Sequence, residues 1–591
     1  MSKWWSSAVL LWVILAIATV ASAQNVAGEV TPTRLIHRGT AFIQNAPSPQ
    51  SGPETMKPPR EADRRRDLIK MMRGRMPAAA QSFVLERPQA SKTSSVVNGG
   101  TEVTFNGLNI LDQEFDNRFD LEPPDQGLCA GNGMIMEVVN LVVSVYTPSG
   151  SRIVGPAPLN NFFGAPTDSL SDPRCYFDPG TSRWFITVTD PFSTDIIPGR
   201  SFVIGAVSAD ANPLDGFALF AIDTSDDGQD GTPSHPGCTF EGTTVPCFGD
   251  QPLLGADANG VYITTNEFGF LTSNGTQIYA ISKLELEDLF GAQLLPPGVH
   301  LANIPLAEGT AFSVQPATAP IAISEPNNGT EFFMSTLNFI GASDNRIAVW
   351  ALTNTASLNS ATPDLKLQHV ILKTNVYEEP VGAQQKKGQT LLGNLFGDPE
   401  ESLDPDDNRM QQVVFSGNLL YSAITSTVFD GEEFVDGILY FVVQPGFTSA
   451  GKLTATLKTN NYLAVAGQNL IYPSIGITNN DQGAMVFTLA GPSFFPSSAF
   501  VLFSQDGADG DVHVAARGVA PDDGFSGYFG LPSNEQLEGR WGDYSAAVPD
   551  GENKIIIATE YISGRRAQPN LSTGLGEANW STAISAIRVT D

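Results

Sequence analysis

The chain has 591 residues, with 33 basic and 63 acidic side chains and a net charge of −30. It is 41% apolar and carries 56 Gly and 41 Pro, which is too apolar for a disordered polymer and too rich in turn formers for a helical bundle. So acidic a balance also excludes phosphate-backbone binding, which needs a basic footprint, so nucleic acid is not an expected partner.

Lys3 precedes an apolar run from Ala8 to Val20, and Ala21-Ser22-Ala23 follows it. A positive start, a short apolar run and a small-residue site predict a secretory signal over residues 1–23. The run is shorter than the roughly 20 residues of a membrane span. The expected location is therefore secreted or periplasmic, with no membrane span in the mature chain. Residues 24–100 are different in composition. From 24 to 95 there are 12 basic and 6 acidic residues, including Arg64-Arg65-Arg66, with a possible short helix over 63–76. This segment reads as a mostly disordered basic linker, or as a pro-segment drawn to an acidic domain by charge.

From residue 101 onward, short β-rich runs are broken by turn residues and helical periodicity is almost absent. One unit recurs: a short strand, a turn of Gly, Asn and Asp, then a strong strand. Gln251 to Ala256, the turn Asp257 to Gly260 and Val261 to Asn266 form a clear copy. The second strands start near 134, 183, 261, 331, 419, 485 and 554, at a mean spacing of roughly 70 residues. Each is followed by a third alternating strand, and several by a fourth. The fold class predicted is all-β, a seven-bladed β-propeller of four-stranded antiparallel blades over 101–591. The last unit ends near Val589, so residues 101–110 are expected to close the last blade as its outer strand.

An exported chain permits disulfides. Cys238 and Cys247 flank a Gly- and Pro-rich excursion, and Cys129 and Cys175 lie at similar depth in neighbouring first strands. Those are the expected pairs, with the other pairings and free thiols as alternatives.

A propeller gathers the starts of its first strands at one end of a central channel. That predicts a convergence of Asp125, Asp172, Asp250, Asp407 and Asp543, with Arg174, Arg409 and Arg540 beside them. Clustered carboxylates suit Ca²⁺, three arginines could hold a substrate carboxylate, and Asp before Pro or Gly also simply caps turns. A second Ca²⁺ candidate is the loop Asp223 to Asp230, with oxygen ligands at Asp223, Ser225, Asp227 and Gln229 and Gly228 in sixth place, though Ser234 stands where a closing Glu would be.

Glu122 to Cys129, Tyr176-Phe177-Asp178-Pro179 with Arg183-Trp184-Phe185, and Arg540 to Ser545 with Glu560-Tyr561-Ile562 resemble exported bacterial sialidase-like β-propeller proteins. The resemblance covers about 101–591. It implies Tyr544 as a candidate nucleophile, with Asp543 or Glu560 near it, and Arg174, Arg409 and Arg540 as substrate-binding groups. The expected function is an acidic exported binding platform for an extracellular glycan, envelope component or protein, with non-enzymatic binding favoured over catalysis, stabilised by Ca²⁺ and otherwise without cofactor. The alternative is a sialidase-like glycoside hydrolase.

Overall fold

The computed structural model describes residues 24–25, 29–45, 86–117, 121–240, 243–269, 272–290, 298–307, 309–320, 328–337, 343–396, 402–524, 526, 538–564, 568–570 and 575–589. The expected signal over 1–23 and the short helix expected over 63–76 lie outside the described residues.

The chain is all-β, built of successive antiparallel sheets in the manner of a propeller. Gly127–Gly131, Met134–Val139, Val142–Tyr146 and Arg152–Pro158 form the first meander. Ser171–Asp178, Arg183–Asp190, Phe202–Ser208 and Phe217–Asp223 form the next. A third runs from Phe248–Ala256 to Gly298–Ala302. The meanders starting at Gln315–Thr318 and at Val413–Ser416 share one nine-stranded sheet, because those two strands pair in parallel. Another sheet starts at Asn469–Ile477, and the last starts at Ala546–Pro549. Val103–Asn109 pairs antiparallel with Ser581–Arg588 at the outer edge of that last sheet.

Each first strand touches the first strand of the next sheet, and Ala546–Pro549 touches Gly127–Gly131, so the inner strands run in a closed cycle. The core lies between sheets. Met136, Val138 and Val143 pack on Trp184, Ile186 and Ile204, and Ile556, Ala558 and Ile584 pack on Leu128, Ile135 and Tyr146. Sheets covered on both faces need apolar residues at successive positions, which is why Arg183–Asp190 is buried along nearly all of its length.

Short described pieces at either end of the basic segment pair as strands, while residues 46–85, most of the expected linker, lie outside the described residues. Leu35–Ala41 pairs with Phe217–Asp223, Glu29–Thr33 with Gly298–Ala302, Gln24–Asn25 with the outer strand Lys366–Tyr377, and Val96–Asn98 with Gly507–Ala516. An outer strand presents a row of unpaired N–H and C=O groups, and any extended segment can pair with it. Composition averaged over the segment hides these short pieces. Among the described residues, no helix is long and apolar enough to cross a membrane.

Candidate functional site

The first strands begin with a repeated backbone device. Register shifts fall between Ser171 and Arg174, Asp250 and Leu253, and Ile471 and Ser474. Within them Asp172, Gln251 and Tyr472 take left-handed φ values of 55°, 54° and 55°, and Asp125, before its strand, takes 49°. A bulge turns a side chain off the pleat, and left-handed backbone is uncommon for residues other than Gly. It recurs at the starts of several first strands.

The expected acids and arginines meet, but they meet each other. Arg409, 1% exposed, donates from Nε and Nη2 to the two oxygens of Asp407 at 2.8 and 2.6 Å, and from Nη1 to Gln251 Oε1 at 2.7 Å. Arg540 donates to Asp543 at 2.9 Å. The Arg174 guanidinium lies 3.4 Å from the centroid of the Tyr544 ring. Asn140 joins two further acids: its Nδ2 donates to Asp125 at 2.7 Å and its Oδ1 accepts from the Asp172 N–H at 3.1 Å. Glu560 accepts from the Gly542 N–H at 2.7 Å. Arg174, Tyr544, Asp125, Asp172, Asp543 and Arg540 thus form one neighbourhood, with Glu560 at its edge. Asp407 and Arg409 form another around Gln251, the residue after buried Asp250.

Burial sets the electrostatics. It pushes the Asp125 carboxyl well above the usual range, helped by Asp543 and Asp172 and opposed by Arg540. Burial and then Asp522 push Glu560 well above its usual value. Burial raises the Tyr544 phenol, with Asp172 adding and Arg174 opposing, and lowers Arg174. Tyr544 is 1% exposed, so the phenol sits in the wall rather than on an open surface.

The acidic loop also closes on a cation of the chain itself. Arg200 donates to Asp223 at 2.7 Å and to Asp227 at 3.3 Å, approaches Asp230 at 3.3 Å, and reaches the Gln229 carbonyl at 3.4 Å. Ser225 Oγ accepts from the Ser201 N–H at 3.0 Å. Asp223, Asp227 and the Gln229 carbonyl face Arg200, and Asp226 among them turns toward His235 instead. Both disulfides, Cys129–Cys175 and Cys238–Cys247, are formed, with Cα atoms 5.4 and 4.8 Å apart.

Sequence reasoning missed the open part of the channel. A cavity of 360 Å³ is lined by the inner strands, with Leu128, the Cys129–Cys175 bridge, Leu254 and Val414 as apolar wall. It reaches the exposed first turns at Asn132, Asn479 and Gly551. Gln126, Gln315, Gln411 and Arg174 supply polar groups to it. The three glutamines are 1%, 4% and 3% exposed. Their Oε1 atoms have no hydrogen-bond partner, nor have Nε and Nη2 of Arg174. Buried polar atoms are nearly always paired, so this set is the unusual chemical feature of the channel. The signal was present as Gln at or near the starts of three first strands, but a lone Gln carries no motif.

No family model matches the chain, and no curated protein matches it. Solved structures do. A Hadza microbial sialidase is similar at 10% identity, over 96% of this chain and 93% of that one, with a TM-score of 0.34. A subtype N10 neuraminidase-like protein of a little yellow-shouldered bat isolate is similar at 7% identity, over 66% and 94%, with a TM-score of 0.29. The native arabinanase of Bacillus subtilis is similar at 8% identity, over 65% and 94%, with a TM-score of 0.25.

Proposed function

We propose that the sheets are the blades of a seven-bladed propeller, and that the chain is exported and binds extracellular glycans in its channel cavity. The observation that carries this reading is a cavity whose lining residues include Gln126, Gln315, Gln411 and Arg174, each with buried polar atoms left without partners. A hydroxyl both donates and accepts, so one sugar ring can satisfy a glutamine carbonyl and an Arg174 N–H together. Apolar walls with a few convergent polar groups are the usual make-up of a small-ligand site. The two disulfides and the signal-like start of the chain support export.

Calorimetric titration with neutral and acidic monosaccharides, followed by a glycan array, tests the reading. Gln315→Leu and Gln411→Leu are each expected to weaken binding at least tenfold in a chain that stays folded. Absence of binding by every sugar, or binding unchanged in both variants, removes the cavity reading.

A second reading, glycoside hydrolysis at the strand starts, has its own support. Burial drives Asp125 and Glu560 toward the protonated form beside an Asp543 that is ion-paired with Arg540. A neutral acid next to a paired carboxylate is the division of roles that glycosidases use. A panel of fluorogenic sialosides and arabinosides separates the readings. Turnover abolished by Tyr544→Phe or Glu560→Gln favours hydrolysis, and no turnover at any pH leaves binding alone.

A further inference from the structure

A second constellation lies away from the channel, in the sheet starting at Phe248–Ala256 and the loop that precedes it. Asp226, His235, Glu267 and His300 are 0%, 4%, 0% and 2% exposed. His235 Nδ1 is 2.9 and 3.0 Å from the two oxygens of Glu267 and 3.4 Å from Asp226 Oδ2. One ligand atom from each of Asp226, His235 and Glu267 lies within 4.8 Å of the others. His300 Nε2 stands 3.9 Å from Asp226 Oδ2. Neither oxygen of Asp226 accepts a hydrogen bond, and His235 Nε2 has no partner. Two carboxyl groups are thus enclosed side by side with two imidazoles, an arrangement that needs a proton or a cation between the acids.

We propose that Asp226, His235 and Glu267 bind one divalent transition-metal ion of the Zn²⁺ type, with His300 at the edge of the site. One divalent charge neutralises the two carboxylates while His235 binds as neutral imidazole. Metal–ligand distances of about 2.0–2.2 Å for His nitrogen and carboxylate oxygen place ligand atoms about 3.4 Å apart in a tetrahedron, close to the spacing found. Nitrogen and carboxylate donors suit Zn²⁺ and its neighbours, whereas Ca²⁺ takes oxygen ligands.

The surroundings also fit a metal site. Asn274 donates to Glu267, and His300 pairs with Gln277 at 3.2 Å and stacks on the Tyr279 ring at 4.5 Å. The loop bringing Asp226 and His235 is tied by Arg200 at one end and by the Cys238–Cys247 bridge at the other. The His235 N–H donates to the Asp226 carbonyl at 2.8 Å, fixing the two ligands relative to each other. A cavity of 20 Å³ borders Asp226 and His300, which is room for one water beside the site. The proposal is independent of the glycan reading, since it shares no residue with the channel.

The test uses the full mature chain, stripped with a chelator and titrated with Zn²⁺ under calorimetry, with metal content measured by mass spectrometry. The expected result is one Zn²⁺ per chain, a melting midpoint several degrees above the stripped protein, and retention in millimolar Ca²⁺. His235→Gln and Asp226→Asn should each weaken binding at least a hundredfold. Because either variant could fail to fold, Co²⁺ is also added to the stripped wild-type chain. Intense visible d–d bands of a tetrahedral nitrogen–oxygen site support the proposal. Zn²⁺ at less than one equivalent, equal retention in folded variants, displacement by Ca²⁺, or only the weak bands of hydrated Co²⁺ would overturn it and leave a metal-free cluster in which His235 is hydrogen-bonded to Glu267.

Discussion

Replacing Arg409 with Met decides whether the channel arginines tie the ring together or wait for a ligand. Arg409 is 1% exposed and directs donors to both oxygens of Asp407, to Gln251 Oε1 and to Asp406. Met keeps the bulk and removes every donor. Asp407, 6% exposed, is then a buried carboxylate without its bidentate cation, and the Gln251 carbonyl loses its 2.7 Å bond. Breaking a buried pair from one side costs about 3–5 kcal/mol, and the strained start of the neighbouring strand gives little room to relax. Removing both charges, as Arg409→Met with Asp407→Leu, leaves no orphan, so the double variant should recover about 2 kcal/mol or more relative to the sum of the singles. Urea unfolding followed by tryptophan fluorescence, with calorimetry to test that the transition is cooperative, measures the cycle. A loss below about 1 kcal/mol in the single variant, or strict additivity in the cycle, would refute the pairing argument. It would return Arg409 to the pool of groups free to hold a substrate carboxylate.

Tyr544→Phe removes a buried hydroxyl that has no hydrogen-bond partner, so thermal unfolding should show a change within about 1 kcal/mol, in either direction but small. A loss above about 2 kcal/mol would mean that the phenol oxygen is paired in solution. Asp436, wholly buried, has its carboxyl pushed up from 3.8 to about 7 by burial, against the hydrogen bond it accepts from the Val381 N–H and with Asp404 adding. It stays protonated in the folded chain over a range where the unfolded chain has already ionised. Stability therefore falls as pH climbs from about 4 to about 7. Denaturation of wild type against Asp436→Asn across that range should show the variant gaining on the order of 3 kcal/mol relative to wild type, and a pH-independent difference would dismiss the assignment. The bridges differ in the loops they close, with sequence separations of 46 for Cys129–Cys175 and 9 for Cys238–Cys247. In the chain-entropy account their removal costs about 4 and about 2.5 kcal/mol, so paired Cys→Ser variants compared by urea midpoint should fall in that order.

The all-β sheets were legible because turn residues punctuate short apolar runs in one recurring unit, and neither signal needs long-range information. The cysteine pairs were legible because one pair flanks a single loop and the other lies at similar depth in neighbouring first strands. The availability of a side chain was not legible. Arg409 stands two residues from Asp407, and Arg540 three from Asp543. Whether such neighbours face one another or a ligand depends on how the backbone leaves the strand. The Asp223 loop shows the same limit from the other side. The ligand pattern over Asp223, Ser225, Asp227 and Gln229 is regular, yet its cation partner is Arg200, from the preceding hairpin. The residue between, Asp226, meets His235, Glu267 and His300 instead. Those histidines look scattered because antiparallel pairing brings residues tens of positions apart into contact.

The outer strands extend this reasoning to the start of the chain. Leu35–Ala41 and Glu29–Thr33 cover the edges of two adjacent sheets, and the second lies beside the cavity that borders Asp226 and His300, which Pro32 and Thr33 help to line. A chain beginning at Glu86 would expose the edges Phe217–Asp223 and Gly298–Ala302 and uncover that cavity together. Uncovered edges invite pairing with another copy, so light scattering should show the shortened chain associating at concentrations where the full-length chain does not. A wider opening beside Asp226 should also make any metal there leave faster in chelator. A shortened chain that stays monomeric would mean that the large interior between sheets, rather than edge coverage, sets solubility, and that residues 29–41 dock without protecting anything.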